Sequence, residues 1–211
     1  MRSITLTFLF LMLASFTSYS QLSADKIFNS FKQGERTNCT AIAFIKASLN
    51  VYGLNNLFAT EVINDSVHKI TLKNNHSFNL KTEEVAKAKY SAEFIYIKDN
   101  YETEKITNYA ILTYAVMAKY KQIIDKEETF EKALEDLEYG GVHTPTIYKY
   151  LGFENGKQIQ KLKRQSGNEY CGVVAWSSAH AVFICQGLMD YYGNKKSTTL
   201  AYPGRFRIIK V

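Results

Sequence analysis

The sequence predicts an α+β protein with helices first, an antiparallel sheet last and a cleft between the two parts. Three observations carry this. First, the run Cys39-Thr40-Ala41-Ile42-Ala43-Phe44-Ile45-Lys46-Ala47-Ser48-Leu49 lies between a good N-cap, Asn38, and a plausible stop, Gly53. Apolar side chains fall on every face of that segment, so it reads as a helix buried all round. Second, helical patterns follow a small β segment in the middle of the chain. Third, the last fifty residues are strand-rich, and they include Tyr170-Cys171-Gly172-Val173-Val174-Ala175-Trp176 and His180-Ala181-Val182-Phe183-Ile184-Cys185.

The elements are justified in order. Arg2 precedes an apolar run over residues 4–14, and Ser18-Tyr19-Ser20 places small residues where a signal peptidase cuts before Gln21. Residues 1–20 therefore read as a secretory signal. Their apolar core is too short for a membrane span, and no lipid-anchoring cysteine follows, so a secreted or periplasmic protein is expected. A short leader helix is expected over 24–31 and the buried helix over 39–52. The alternation in Val67-His68-Lys69-Ile70-Thr71-Leu72 and Ser77-Phe78-Asn79-Leu80 indicates a half-exposed hairpin with an Asn74-Asn75 turn inside a β segment at 61–80. Thr82-Glu83-Glu84 opens another helix, and helices at 105–122 and 127–139 follow. Thr144-Pro145 reads as the N-cap and first residue of a short helix over 145–151. Only two prolines and no Ser- or Gly-rich linker occur, so residues 21–211 form a single domain.

Composition narrows the function classes. A chain that is 46% hydrophobic and 14% aromatic is not disordered. Its formal charge of +6 is mild, and one unit leaves with Arg2. Lys157, Lys161, Lys163 and Arg164 read as a solvated loop, and no basic repeat or stacking platform argues for nucleic acid. No CxxC, HxxH or HExxH spacing calls for a metal, and no cofactor is implied. Three cysteines in an oxidising compartment suggest one pair and one free thiol. Cys171 and Cys185 lie symmetrically about Ser178 and could be bridged across adjacent strands, leaving Cys39 free; alternatively all three are reduced.

The chemistry gathers around Cys39. A thiol at the first turn of a helix feels the partial positive charge of unpaired amides, which favours the nucleophilic thiolate. Six positions upstream, Gln33 carries an amide that could donate, with the Cys39 backbone N–H, to an oxyanion on an attacked carbonyl. Of the four histidines, His68 and His76 sit in the polar hairpin and read as surface residues. His143 follows Gly140-Gly141 in a loop and could line a cleft. His180 opens a strand and can face a helix N-terminus, which makes it the candidate base.

This order of Gln33-Gly34, Cys39 on an apolar helix, and His180-Ala181 at the start of a strand resembles the papain-like cysteine peptidases, most closely their calpain-type branch. The segment 109–120, the pair Gly140-Gly141 and the stretch Ile147-Tyr148-Lys149-Tyr150-Leu151-Gly152 are also similar. The resemblance covers residues 33–49, 109–152 and 170–185. It implies a two-lobed fold and a hydrolase of peptide or isopeptide bonds acting on a peptide or protein substrate; with the signal read above the protein is expected to be secreted or periplasmic, and a monomer is expected. In that family an Asn or Asp on the strand after the histidine holds the imidazole. Here the corresponding stretch is Leu200-Ala201-Tyr202-Pro203-Gly204, with tyrosine in that place. A turn at Tyr191-Tyr192-Gly193-Asn194 would put Asp190 and Asn194 roughly 30 Å from His180. Reflection about it would bring residues 202–205 opposite His180, so Tyr202 is the candidate orienting residue, with Thr199 and Ser197 behind it. A phenol supplies no carboxylate charge to an imidazolium, and an inactive relative acting as a binding module is the alternative reading.

Overall fold

A computed structural model describes residues 22–163, 166–199 and 201–211; the expected signal over 1–20 and Arg164 lie outside them. The first half of the chain contains α1 (Ala24–Phe28), β1 (Phe31–Lys32), α2 (Cys39–Tyr52), β2 (Ala59–Asn64), β3 (Val67–Thr71), β4 (Ser77–Lys81) and α3 (Thr82–Ala92). The chain continues with β5 (Ile95–Tyr96), α4 (Tyr101–Asp125), α5 (Phe130–Glu138) and a 3-10 helix (Thr144–Leu151). The last part is β6 (Ile159–Lys161), β7 (Val173–Trp176), β8 (Ala181–Cys185), β9 (Leu188–Tyr191), β10 (Asn194–Ser197) and β11 (Gly204–Ile208). The α+β class read from the sequence is the class observed.

Helix α2 is the hub. Every residue from 40 to 50 is buried, and the helix ends at Gly53, whose N–H reaches the Leu49 carbonyl at 2.8 Å. Asn38 occupies the N-cap position but does not cap; its amide donates instead to the Ala92 carbonyl at 2.8 Å, tying the helix start to the end of α3. One side of α2 packs on the six-stranded antiparallel sheet ordered β10-β9-β8-β7-β11-β6, with Phe44 meeting Phe206 edge-on at 6.3 Å. The other side meets α1, α4 and the 3-10 helix. Val174, Phe183 and Phe206 belong to this main core, while Val173, Ala175, Val182, Ile184, Met189 and Tyr202 form a smaller cluster. That division is the period-2 alternation of strands.

Several boundaries differ from the sequence reading for local reasons. The Asn29 amide donates to the Asp25 carbonyl at 2.8 Å and closes the leader helix at Phe28. Phe31 then enters a short strand paired with β5 and stacks on Phe94 at 4.7 Å. Asn100 accepts the Thr103 N–H at 2.9 Å, so α4 starts one turn ahead of its apolar stripe. The middle β segment is a three-stranded sheet, β2-β3-β4, and its Asn74-Asn75 turn is present, with Asn75 at a φ of 66°. His143 rather than Thr144 stands at the N-cap of the 3-10 helix.

The largest correction concerns the hairpin after His180. The chain reverses twice: first at Gln186-Gly187, with φ of 50° and 78°, then at Tyr192-Gly193, with φ of 52° and 82°. Two successive residues with positive φ are the signature of a tight two-residue hairpin. Strand β9 therefore runs back beside β8, with Ile184 opposite Met189, and delivers residues 190–193 to the His180 end. Asp190 is accordingly close to the histidine rather than 30 Å away. Strand β10 pairs only with β9, and β11 crosses to the far side of β7, so β7 separates Tyr202's segment from His180's strand. The Cys171–Cys185 disulfide joins the approach to β7 to the end of β8 and leaves Cys39 free.

Candidate active site

The loop before Cys39 is held from two sides. Gly34 lies so close to α3 that a Cβ there would stand 2.5 Å from the Glu93 carbonyl oxygen, and the Glu35 N–H donates to the Glu93 carboxylate at 3.0 Å. Only a residue without a side chain permits that approach. Arg36 pairs with Glu138 at 2.6 Å, and the Thr37 hydroxyl donates to the Glu138 carbonyl at 3.1 Å, fastening the loop to the end of α5. Within the loop, one amide hydrogen of Gln33 is given to the Arg36 carbonyl. A primary amide has two hydrogens, so a second donor remains.

Cys39 follows as the first residue of α2, partly exposed, with no acidic side chain in the first turn. His180 is delivered by the turn between β7 and β8. The Ser177 hydroxyl accepts the N–H groups of Ala179 and His180, each at 3.2 Å, and the Ser177 N–H donates to the His180 carbonyl at 2.9 Å. Cys39 and His180 both line a cleft of about 830 Å³. Its far wall is residues 139–145, including Gly140-Gly141 and an exposed His143; Thr37, Thr40, Trp176 and Pro203 complete it. Behind the dyad a narrow recess is shared by Gln33, Cys39, His180, Asp190 and Tyr192. At the cleft floor the Thr40 and Thr144 hydroxyls are 2.8 Å apart.

Two tyrosine rings contact the imidazole of His180. Tyr192 stacks on it with centroids 4.3 Å apart and planes 14° from parallel, and Tyr191 meets it edge-on at 5.6 Å. Among the described residues no side chain hydrogen-bonds to the ring. Burial holds the His180 pKa below its ordinary 6.5, partly opposed by the Asp190 carboxylate. Burial thus favours the neutral ring, the form that accepts a proton. A folded-state pKa below the unfolded value also means that this group's contribution to stability rises with pH through the window below 6.5.

Asp190 is itself anchored. One oxygen accepts the Gly193 N–H at 2.9 Å, and the other meets Lys46 Nζ at 2.5 Å. Lys46 stands two turns along the cysteine helix, fully buried, with its ammonium 4.8 Å from the Phe31 ring centre. Burial lowers its pKa against the pull of Asp190.

Of the four residues singled out from sequence, Cys39, His180 and Gln33 meet at the recess. Tyr202 is buried in the smaller sheet cluster; its carbonyl accepts Arg205 Nε at 3.1 Å, and no hydrogen bond joins its hydroxyl to His180. His143 does line the cleft, whereas His68 lies on β3 and His76 contacts the Tyr120 hydroxyl at 2.9 Å, in a separate sheet. Sequence reasoning missed Lys46, Tyr192 and Trp176, and it set Asp190 aside. Two signals pointed there: a lone lysine within an otherwise buried helix needs a partner, and Gln186-Gly187 is as good a turn as Tyr192-Gly193. Comparison of the chain with protein families, curated proteins and solved structures found no match.

Proposed function

We propose that this chain is a papain-like cysteine hydrolase, of calpain type, that cleaves peptide or isopeptide bonds in a peptide or protein substrate. The observation that carries the reading is that a cysteine at a helix N-terminus and a histidine at a strand start line one cleft and share a recess with Gln33. In this mechanism His180 takes the Cys39 proton and the thiolate attacks the carbonyl carbon. The Cys39 N–H and the second hydrogen of Gln33 hold the oxyanion, and the His180 imidazolium then protonates the leaving amine. Water, deprotonated by His180, releases the acyl group from the sulfur. The two-lobed plan fits helices on one wall of the cleft and the sheet on the other. Secretion agrees with the Cys171–Cys185 disulfide, and among the described residues no helix is long and apolar enough to cross a membrane.

A second reading, an inactive relative serving as a binding module, is favoured by one observation: among the described residues no side chain hydrogen-bonds to the His180 ring. Labelling with iodoacetamide or an epoxide probe at pH 7, followed by peptide mapping, separates the two. Cys39 reacting at least about tenfold faster than an ordinary thiol, and losing that advantage in His180→Ala, supports the hydrolase. Reaction at the ordinary rate supports the binding module.

A further inference from the structure

Within the hydrolase reading, on which this inference rests, the imidazole needs something to fix its plane. We propose that Tyr192 is the positioning residue for His180, its ring laid flat on the imidazole by a turn that the buried Lys46–Asp190 pair anchors to the cysteine helix.

The backbone is the first support. Tyr192 adopts a φ of 52°, the left-handed region that large side chains rarely occupy and that Asn, Asp or Gly normally fill in a two-residue hairpin. At the companion turn the residue in the same position, Gln186, is exposed and makes no ring contact. At this one the unusual conformation places an aromatic ring on the candidate base, and an observed backbone outlier beside a reactive group is a recognised pointer to function.

The second support is the chain of contacts behind the turn. Gly193 has a φ of 82°, and a Cβ there would stand 2.9 Å from the Lys32 Cβ, so the turn has one way to close. Its N–H is held by Asp190 at 2.9 Å, and Asp190 is held by Lys46 at 2.5 Å. Lys46 belongs to the same rigid helix as Cys39. The base's hairpin and the nucleophile's helix are therefore joined by a buried ion pair, and the turn that the pair anchors carries Tyr192. With no hydrogen bond to the ring among the described residues, the stack at 4.3 Å and the edge contact of Tyr191 restrict imidazole rotation.

The test uses the full chain with Tyr192→Gly and Tyr192→Phe. Glycine suits the left-handed position, so removal of the ring leaves the turn intact, and phenylalanine keeps the stack without the hydroxyl. The readouts are the pH profile of Cys39 alkylation by iodoacetamide, the NMR titration of His180 and the melting temperature. The titratable groups facing His180 are Cys39 from α2, Asp190 and Tyr191 from β9, Tyr192 itself and His143 across the cleft; all except Tyr192 are unchanged in both variants. Tyr192→Gly is expected to slow alkylation about tenfold or more, part of the factor that a positioned base supplies. It is also expected to move the His180 titration up toward its ordinary value as water reaches the ring, with an unchanged melting temperature. Tyr192→Phe restores the parent's rate and titration. A Tyr192→Gly variant with the parent's rate and an unmoved His180 titration overturns the proposal. If parental Cys39 reacts no faster than an ordinary thiol, the hydrolase reading fails instead, and the His180 titration in Tyr192→Gly still decides whether the ring positions the imidazole.

Discussion

Lys46→Met removes one half of the buried pair that joins the cysteine helix to the histidine hairpin. Lys46 is 0% exposed and Asp190 7%, so neither charge is shared with bulk water. Deleting one partner of such a pair leaves an uncompensated buried charge and costs about 3–5 kcal/mol. Asp190 keeps the Gly193 N–H at 2.9 Å. That bond retains part of the compensation and puts the expected loss near the lower end, about 3 kcal/mol. For a domain of this size each kcal/mol lowers the melting temperature by about 2–4 °C, giving a fall of about 6–12 °C. Urea titration and thermal melting, with the disulfide intact, measure it. The loss shrinks on acidification, because an unpartnered buried carboxylate has a raised pKa and the folded state then takes up the proton more readily than the unfolded chain. Lys46→Met with Asp190→Asn recovers most of the stability, since asparagine still accepts from Gly193 and no charge is stranded. A Lys46→Met variant within about 1 kcal/mol of the parent would refute the view that the pair is desolvated and coupled.

Two further outcomes follow from the same coordinates. The disulfide spans a sequence separation of 14 residues, which corresponds to about 3 kcal/mol in the chain-entropy account, so replacing both Cys171 and Cys185 with serine should lower stability by that amount. Because the bridge sits at the end of β8 remote from His180, Cys39 alkylation should keep its rate per folded molecule; a parallel loss of rate would contradict this. Gly204→Ala would put a Cβ 2.2 Å from the indole of Trp176, the only tryptophan, and push it from the cleft wall. The expected signs are a changed emission spectrum and a stability loss of about 1–3 kcal/mol, and unchanged emission counts against the close contact.

What could be read without coordinates was local. The α2 helix was legible because apolar composition and a stop residue are short-range properties, and Cys39 inherits its setting from them, although Asn38 at its start ties to Ala92 instead of capping it. The Asn74-Asn75 turn and the helix at Thr82 were legible for the same reason. Near-symmetry about one short turn made a Cys171–Cys185 bridge one of two readings, the other being three reduced thiols; the structure decides for the bridge, with Val173 opposite Ile184 and Trp176 opposite Ala181.

Failures began where two good local signals competed. Gln186-Gly187 and Tyr192-Gly193 are both hairpin turns, and choosing one alone sent Asp190 to the wrong end of the sheet. Which groups stand behind His180 depends on strand order, and strand order reflects how the whole sheet packs on α2, not the residues of any one strand. The sequence by itself therefore determined the class of fold, the cysteine helix and the histidine just before β8. Only the tertiary structure decided that Asp190, held by Lys46, and Tyr192 stand beside that histidine while the Tyr202 hydroxyl makes no hydrogen bond to it, because a buried ion pair joins residues 144 apart in sequence and the order of the strands brings the Tyr192 turn back onto the His180 ring.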